Sequence, residues 1–263
     1  MSIFGTLWRS LGKDTTPTPP AALSAHQVDQ PHYVIGDIHG RMDLLAQLSD
    51  VIVTDAEGRP GMTDAIVVYV GDYIDRGDQS AQVLTHLFDL SQAQPDRHIC
   101  LKGNHEVMML QALQDPVEYG GRWLRYGGMQ TLASFGIRGI HERMDAEDLD
   151  HAMAQLRRAL PAGMQDWLNT LPKVHRSGNV VVVHAALNPD RDWQDQSDRT
   201  RLWGKDTFFE RPHKDGLWVV HGHTIVDQAV IADGRMSIDT GGYATGRLTS
   251  VGLNGDQAWL LGT

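Results

Sequence analysis

Three short segments gather side chains able to bind a cation or move a proton. They are Gly36-Asp37-Ile38-His39-Gly40, Gly71-Asp72-Tyr73-Ile74-Asp75-Arg76-Gly77-Asp78 and Gly103-Asn104-His105-Glu106. Each follows a run that reads as a buried strand: Tyr33 to Ile35, Ala65 to Val70 and His98 to Leu101. Three carboxylates and a guanidinium thus leave the end of the middle strand together. Asp37 and His39 stand two residues apart, so in extended backbone both point the same way and can serve one ion or one proton. A single acidic loop after a core strand is ordinarily a solvated turn; repetition of the pattern argues for a site.

The elements that position these groups follow from the spacing. Asp37 to Asp72 is 35 residues and Asp72 to Asn104 is 32, the length of a strand, a helix and a return. Leu44, Leu45, Leu48, Val51 and Ile52 share one helical face after the first segment, and Val83, Leu84, Leu87 and Phe88 do so after the second. Val107 to Leu113 begins a third helix. Parallel sheets bind ligands beyond the carboxyl ends of their strands, so the three polar segments are expected to meet at one edge.

GDIHG, GDYIDRG and GNHE resemble the three signature blocks of the calcineurin-like metallophosphoesterases, and in this form the bacterial branch of the phosphoprotein phosphatases. The likeness continues through His184, Gly222-His223-Thr224 and Ile238-Asp239-Thr240-Gly241, covering roughly residues 32 to 253. It implies an α/β fold of two mixed sheets packed face to face, with helices outside. It further implies two divalent metal ions, one held by Asp37, His39 and Asp72, the other by Asp72, Asn104, His184 and His223. Carboxylate, imidazole and amide ligands suit manganese, iron or zinc better than calcium, and manganese is the commonest in the family. Two such ions neutralise the phosphoryl group and lower the pKa of a shared water, so that a bridging hydroxide attacks the ester. A lone histidine at a strand end is more often structural; for His184 and His223 the resemblance reverses that expectation.

By the same resemblance His105 is the general acid for the leaving alkoxide, with Asp75 holding its ring. Arg76 and Asn104 contact the phosphate, the arginine through its planar fork. Relatives supply a second cation after the fourth block. Here Leu202-Trp203-Gly204-Lys205 has lysine at that place, so Lys205, or Arg201 nearby, is expected to provide it. Ala185-Ala186 follows His184 where glycine is usual. Ile225 stands where many other metallophosphoesterases carry histidine, which sides with the phosphoprotein phosphatases. His221 falls outside the ligand positions and is expected just behind them.

Residues 1 to 30, with their proline-rich stretch, read as an N-terminal arm ahead of a catalytic domain at 31 to 263. A helical insertion is expected at about 115 to 172. Trp123, Leu132 and Phe135 suggest one helix, Leu149, Met153, Leu156 and Leu160 a second, and Met164, Trp167, Leu168 and Leu171 a third. Its stretch Trp123 to Leu132 resembles a segment of bacterial members of the family. It either lines a wall of the substrate cleft or lets helices approach at Gly127-Gly128. Strands then recur at 180–183, 217–220, 229–231, 236–238, 248–251 and 258–261. Asp233-Gly234, Gly241-Gly242 and Asn254-Gly255 read as hairpin turns between them. This predicts a parallel first half and an antiparallel second half.

A chain of 263 residues, 41% hydrophobic, can bury one large core. No apolar run is long enough to span a bilayer. A formal net charge of −10 argues against non-specific nucleic-acid binding. The single cysteine, Cys100, excludes an internal disulfide and falls in a buried strand, which points to packing and a reducing cytoplasm. The expected activity is hydrolysis of phosphoserine or phosphothreonine in proteins. Symmetrical cleavage of bis(5'-nucleosyl) tetraphosphates, and turnover of phosphotyrosine or small phosphoesters, stay open. A phosphopeptide-binding module without turnover is the rival of another class.

Overall fold

The computed structural model describes residues 25–141 and 143–263. Residues 1 to 24 of the expected arm lie outside the described residues. The arm's last residues are tied to the domain: Val28 is buried, its N–H donates to Gly255 O at 3.0 Å, and the Gln27 N–H donates to Asn179 Oδ1 at 2.6 Å.

The first sheet takes its centre from β1 (His32–Ile35), β2 (Ile66–Tyr69) and β3 (His98–Cys100), which run parallel. Helices α1 (Met42–Gly58) and α2 (Ser80–Ala93) make the two crossovers, and α3 (Asn104–Gln114) leaves the end of β3. The hairpin β9 (Thr249–Asn254) and β10 (Gln257–Gly262) pairs antiparallel beside β1, giving the order β10-β9-β1-β2-β3. The second sheet has the order β4-β5-β6-β8-β7. Its members are β4 (Val174–Ser177), β5 (Val180–Val183), β6 (Trp218–His221), β7 (Val230–Ala232) and β8 (Arg235–Ser237).

Two-residue alternation sorts the strand side chains between layers. Val34, Val68, Val180, Val182, Val220, Met236 and Val251 interdigitate between the sheets. Tyr33, Ile35 and Tyr69 face α1, α2 and α3 on one outer side. Val181, Val183 and Val219 pack with Phe208 and Leu217 on the other. Burying each such valine contributes about 1.5–3 kcal/mol relative to exposure. Cys100 belongs to the helix-side core and is a free, buried thiol.

The expected division into a parallel half and an antiparallel half is corrected. Both sheets are mixed, and β5, β6 and β8 run parallel. The antiparallel pairs lie at the sheet margins, where hairpins need only a two-residue turn. Asp233-Gly234 and Asn254-Gly255 do turn hairpins, whereas Gly241-Gly242 starts α10 (Gly242–Thr245) and carries the chain from one sheet to the other. Strand β4 was hidden because His175 and Arg176 interrupt its apolar pattern.

Between β3 and β4 the described residues form helices and loops and no strand. The single helix expected through Trp123 and Phe135 is instead broken into a π-turn at Pro116–Gly120, α4 (Gly121–Trp123), a second π-turn at Leu124–Gly128 and α5 (Met129–Ser134). Gly127, at φ 112°, makes the kink, a conformation open to glycine and little else. Helix α6 (Ala146–Ala159) is capped by Asp145, whose Oδ1 accepts from Asp148 N at 2.9 Å, and α7 (Met164–Thr170) follows. Helices α8 (Asp198–Trp203) and α9 (Thr207–Glu210) connect β5 to β6. No helix among the described residues is long and apolar enough to cross a membrane.

Candidate active site

Six parallel strand ends converge. Asp37, Asp72 and Asn104 follow β1, β2 and β3, while His184, His223 and Asp239 follow β5, β6 and β8. Among the described residues six non-glycine residues have left-handed φ, and five lie here: His39 (45°), Asp72 (52°), Asp75 (72°), Arg76 (69°) and His223 (63°). Backbone strain of this kind persists where surrounding bonds over-determine the chain. The Asp72 carbonyl accepts from His39 N at 2.9 Å and Ile38 N at 3.2 Å. The buried Glu106 carboxylate accepts from three backbone N–H groups, those of Asp72 (2.9 Å), Tyr73 (2.8 Å) and Gly103 (2.9 Å). A Cβ at Gly103 or Gly222 would collide with Asp72 Oδ1 or Asp37 Oδ1, so glycine leaves the room these carboxylates occupy.

Two groups of ligand atoms, each mutually within 4.8 Å, share Asp72: one with His39 and His105, the other with His184 and His223. His39 Nε2 is 3.6 Å from Asp72 Oδ2, and His184 Nε2 is 3.4 Å from Asp72 Oδ1. Carbonyl oxygens of Ile74 and Val70 face Nδ1 of His39 and His184 at 2.8 and 3.1 Å, which puts the proton there and leaves Nε2 as a lone pair. His184 Nε2 (2.8 Å) and His223 Nδ1 (3.0 Å) both face Asn104 Oδ1. Burial pushes His184 down to about 4 and His39 to about 3, so both imidazoles are neutral. An acceptor nitrogen against an acceptor oxygen is repulsive unless a cation lies among them.

The carboxyls give the same answer. Asp37 is buried with Oδ1 lacking any partner, while Oδ2 accepts from His223 N at 3.0 Å. Burial, then the neighbouring Asp239 and Asp72, push its carboxyl well above the usual range. Burial also lifts Asp239 to about 6 and Glu106 to about 7. Several buried acids short of compensating charge, with neutral imidazoles among them, fit a pair of divalent cations.

His105 sits across from these groups. Its Nδ1–H donates to Asp75 Oδ2 at 2.6 Å. Asp75, fully buried, also accepts from Thr131 Oγ1 (2.6 Å) and Trp123 Nε1 (3.0 Å). Burial pushes His105 down, but Asp72 and the hydrogen-bonded Asp75 outweigh it and hold the imidazole above its ordinary value. Nε2 is left facing Arg76 Nη2 at 3.4 Å and Asp72 Oδ2 at 3.9 Å.

Arg76 stacks over Tyr243, 4.6 Å from the ring centroid, and Tyr243 meets His39 edge-on at 5.4 Å. A cavity of about 410 Å³ is lined by Arg76, Arg125, Tyr126, Gly127, Gln130 and Tyr243. Gly127 O accepts from Arg76 N at 3.3 Å, so the segment around Trp123 to Leu132 is a wall of the cleft as well as a packing element. Sequence reasoning offered the Trp123 to Leu132 segment as a cleft wall but did not tie Trp123 and Thr131 to Asp75 or Tyr243 to Arg76, because nothing local links residues so distant in the chain.

Arg201 is not brought to the site. Its Nη2 donates to the carbonyls of Trp193 (3.3 Å) and Gln194 (3.0 Å), bracing the loop before α8. Lys205 is exposed beyond α8, and among the described residues no side-chain contact joins it to the cluster. The second guanidinium on the cleft is Arg125. His221 faces Gly222 O at 3.0 Å, Ser237 Oγ at 2.8 Å and the rings of Phe208 and Phe209. Ala185 and Ala186 are buried directly behind His184.

The model of the calcineurin-like phosphoesterases matches residues 31–227. The chain belongs to that family. Serine/threonine-protein phosphatase PP1-delta of Caenorhabditis elegans is 36% identical over 81 residues, covering 30% of this chain and 24% of that protein. The zinc-dependent endopolyphosphatase of Saccharomyces cerevisiae is 25% identical over 133 residues, 51% of this chain and 37% of that protein. The chain thus spans less than two-fifths of these curated relatives. Among solved structures, a protein provisionally named as a diadenosine tetraphosphatase superposes with a TM-score of 0.59 at 19% identity, over 89% of this chain and 93% of the other. A cold-active protein tyrosine phosphatase variant gives 0.55 at 17% identity, over 88% and 80%. These two likenesses establish the shared fold.

Proposed function

We propose that this phosphoesterase removes phosphate from phosphoserine and phosphothreonine in proteins, as a member of the phosphoprotein phosphatase branch using two divalent ions, manganese first among them. Asp37, His39 and Asp72 would hold one ion, and Asp72, Asn104, His184 and His223 the other. When bound, such ions supply positive charge against the phosphoryl anion and acidify water near neutral pH. The chain's own groups do the rest. Arg76 binds the phosphoryl oxygens through its planar fork, with Asn104 beside it. His105 carries a proton at Nε2 and delivers it to the departing oxygen, and Asp75 keeps the ring charged and aimed.

One observation carries this reading. The His105–Asp75 pair is buried and closely bonded, and its free nitrogen is turned toward Arg76 and the shared Asp72. A proton donor matters most when the leaving group is an alkoxide, as in an ester of serine or threonine. The partial identity to a serine/threonine phosphatase supports the same substrate.

The test is a panel of phosphoserine, phosphothreonine and phosphotyrosine peptides, dinucleoside tetraphosphates and p-nitrophenyl phosphate, each with manganese, iron or zinc. Phosphoserine and phosphothreonine peptides are expected to show the highest kcat/KM. Preferential cleavage of a dinucleoside tetraphosphate into two diphosphates would replace the proposal with that activity. Peptide binding without turnover of any substrate would leave a recognition module.

A further inference from the structure

A second cavity, of about 690 Å³, lies on the far side of the first turn of α3 from the catalytic groups. Asn104, His105 and Glu106 face the site, whereas Val107, Leu110 and Gln111, spaced i, i+3, i+4, line this cavity. The remaining wall is charged. Lys102, Arg122, Lys173 and Arg199 contribute four cations against one carboxylate, Asp198, in a chain whose formal net charge is −10. Lys173 takes up Asp198 at 2.5 Å, while Lys102 feels Asp198 and Glu106 only at longer range, so the wall keeps an excess of positive charge. Lys102 Nζ donates to the carbonyl of Asn169 at 2.8 Å, which fixes the ammonium group in place. Arg122 lies over Trp203, 5.1 Å from its ring, and near Tyr126 at 5.9 Å, and Tyr126 in turn meets His105 at 6.5 Å. One turn of chain, Arg122 to Tyr126, therefore separates the phosphate cleft from the basic cavity.

We infer that this cavity receives acidic side chains, carboxylate or phosphate, that flank the phosphorylated residue of a protein substrate. The inference rests on the proposed phosphoprotein activity and names its substrate preference. A helix is about 10 Å across, and three residues of extended peptide span that distance. Acidic groups two to four residues from the scissile phosphate would reach the lysines and arginines. A nucleobase is the poorer occupant, because the Trp203 face is already covered by the Arg122 guanidinium.

The experiment compares two phosphothreonine peptides of equal length, with Glu or Ala at positions two to four residues away on both sides. Dinucleoside tetraphosphate serves as a third substrate. The acidic peptide is expected to be favoured about five- to tenfold in kcat/KM at low salt, the size of two or three exposed ion pairs, through KM. The preference should fade toward 0.5 M salt as screening shortens. In Arg122→Glu and Arg199→Glu the ratio of the two peptides should fall to one or below; a ratio cancels any general loss of activity. A wild-type ratio near one overturns the inference while leaving the phosphatase proposal standing, as does a ratio unchanged in both variants. Turnover of the dinucleotide with neither peptide hydrolysed overturns both.

Discussion

Replacing Asp75 by Asn separates the proposed acid from the rest of the site. Asp75 Oδ2 holds His105 Nδ1 at 2.6 Å, while Oδ1 accepts from Thr131 Oγ1 at 2.6 Å. The asparagine carbonyl can keep the histidine, which turns its NH2 toward Thr131. That hydroxyl can adapt: it already accepts from Asp75 N at 2.9 Å, and its proton can pass to Ser80 Oγ at 3.2 Å. Loss of stability should therefore stay near 1 kcal/mol, one neutral hydrogen bond. The histidine loses its charged partner, and the gap between a charged and a neutral hydrogen bond is about 1–1.5 kcal/mol, roughly one pKa unit. His105 is held above its ordinary value in the wild type, so its protonated form, and with it activity on alkyl esters, declines as pH rises through that value. In Asp75→Asn the decline should begin about one unit lower. A phosphoserine peptide, whose alkoxide must be protonated, should lose about ten- to a hundredfold in kcat. p-Nitrophenyl phosphate, whose leaving group needs no proton, should lose clearly less. Equal losses on both substrates, or a variant depleted of metal, would refute the assignment of His105 and Asp75 as an acid pair.

Asp72→Asn should drop bound metal well below two ions per chain, measured by elemental analysis after dialysis; two ions with full turnover would remove Asp72 from its shared place. His105→Asn should lower kcat by roughly two to four orders of magnitude with metal content unchanged; lost metal would make His105 a ligand, as its grouping with His39 and Asp72 allows. In Glu106→Gln the amide can keep the bonds from Asp72 N and Gly103 N but sets a donor against Tyr73 N, so denaturant unfolding should report a loss of about 1–3 kcal/mol. His175, pushed down to about 4 by burial and then by His32, has a folded value below its unfolded one, so its stabilisation is full above about pH 6.5 and drains away as pH falls toward 4. About 2 kcal/mol should go by pH 4.5, seen as a falling Tm that His175→Gln flattens over that window.

Short-range patterning carried the sequence reading a long way. Short apolar runs located β1, β2, β3, β5 and β6, because a buried parallel strand is apolar on both faces. The polar residues just past those ends are the ones that converge. Less legible were features decided by contacts between distant segments. Gly127 looked like part of a helix until its positive φ and its bond to Arg76 fixed it as the corner of the cleft. Trp123 and Thr131 lie 48 and 56 residues from Asp75, and no local signal distinguishes a core tryptophan from one whose indole N–H serves a carboxylate.

Arg201 shows how a local contact can occupy a side chain that the sequence offered to the site. An arginine near the right place in the chain fits a family pattern, yet it sits in the last turn of a six-residue helix and its guanidinium turns back on the loop before it. The guanidinium donates to the carbonyls of Trp193 and Gln194. The cleft is left with Arg76 and, from the kinked segment, Arg125. If positive charge on the phosphate is the requirement, the fold meets it from whichever element its kink delivers there. Arg125→Ala should then raise KM for phosphopeptides severalfold, and Arg201→Ala should cost stability while leaving the apparent phosphate affinity as it was. A variant pair that behaved the other way round would return the second cation to α8.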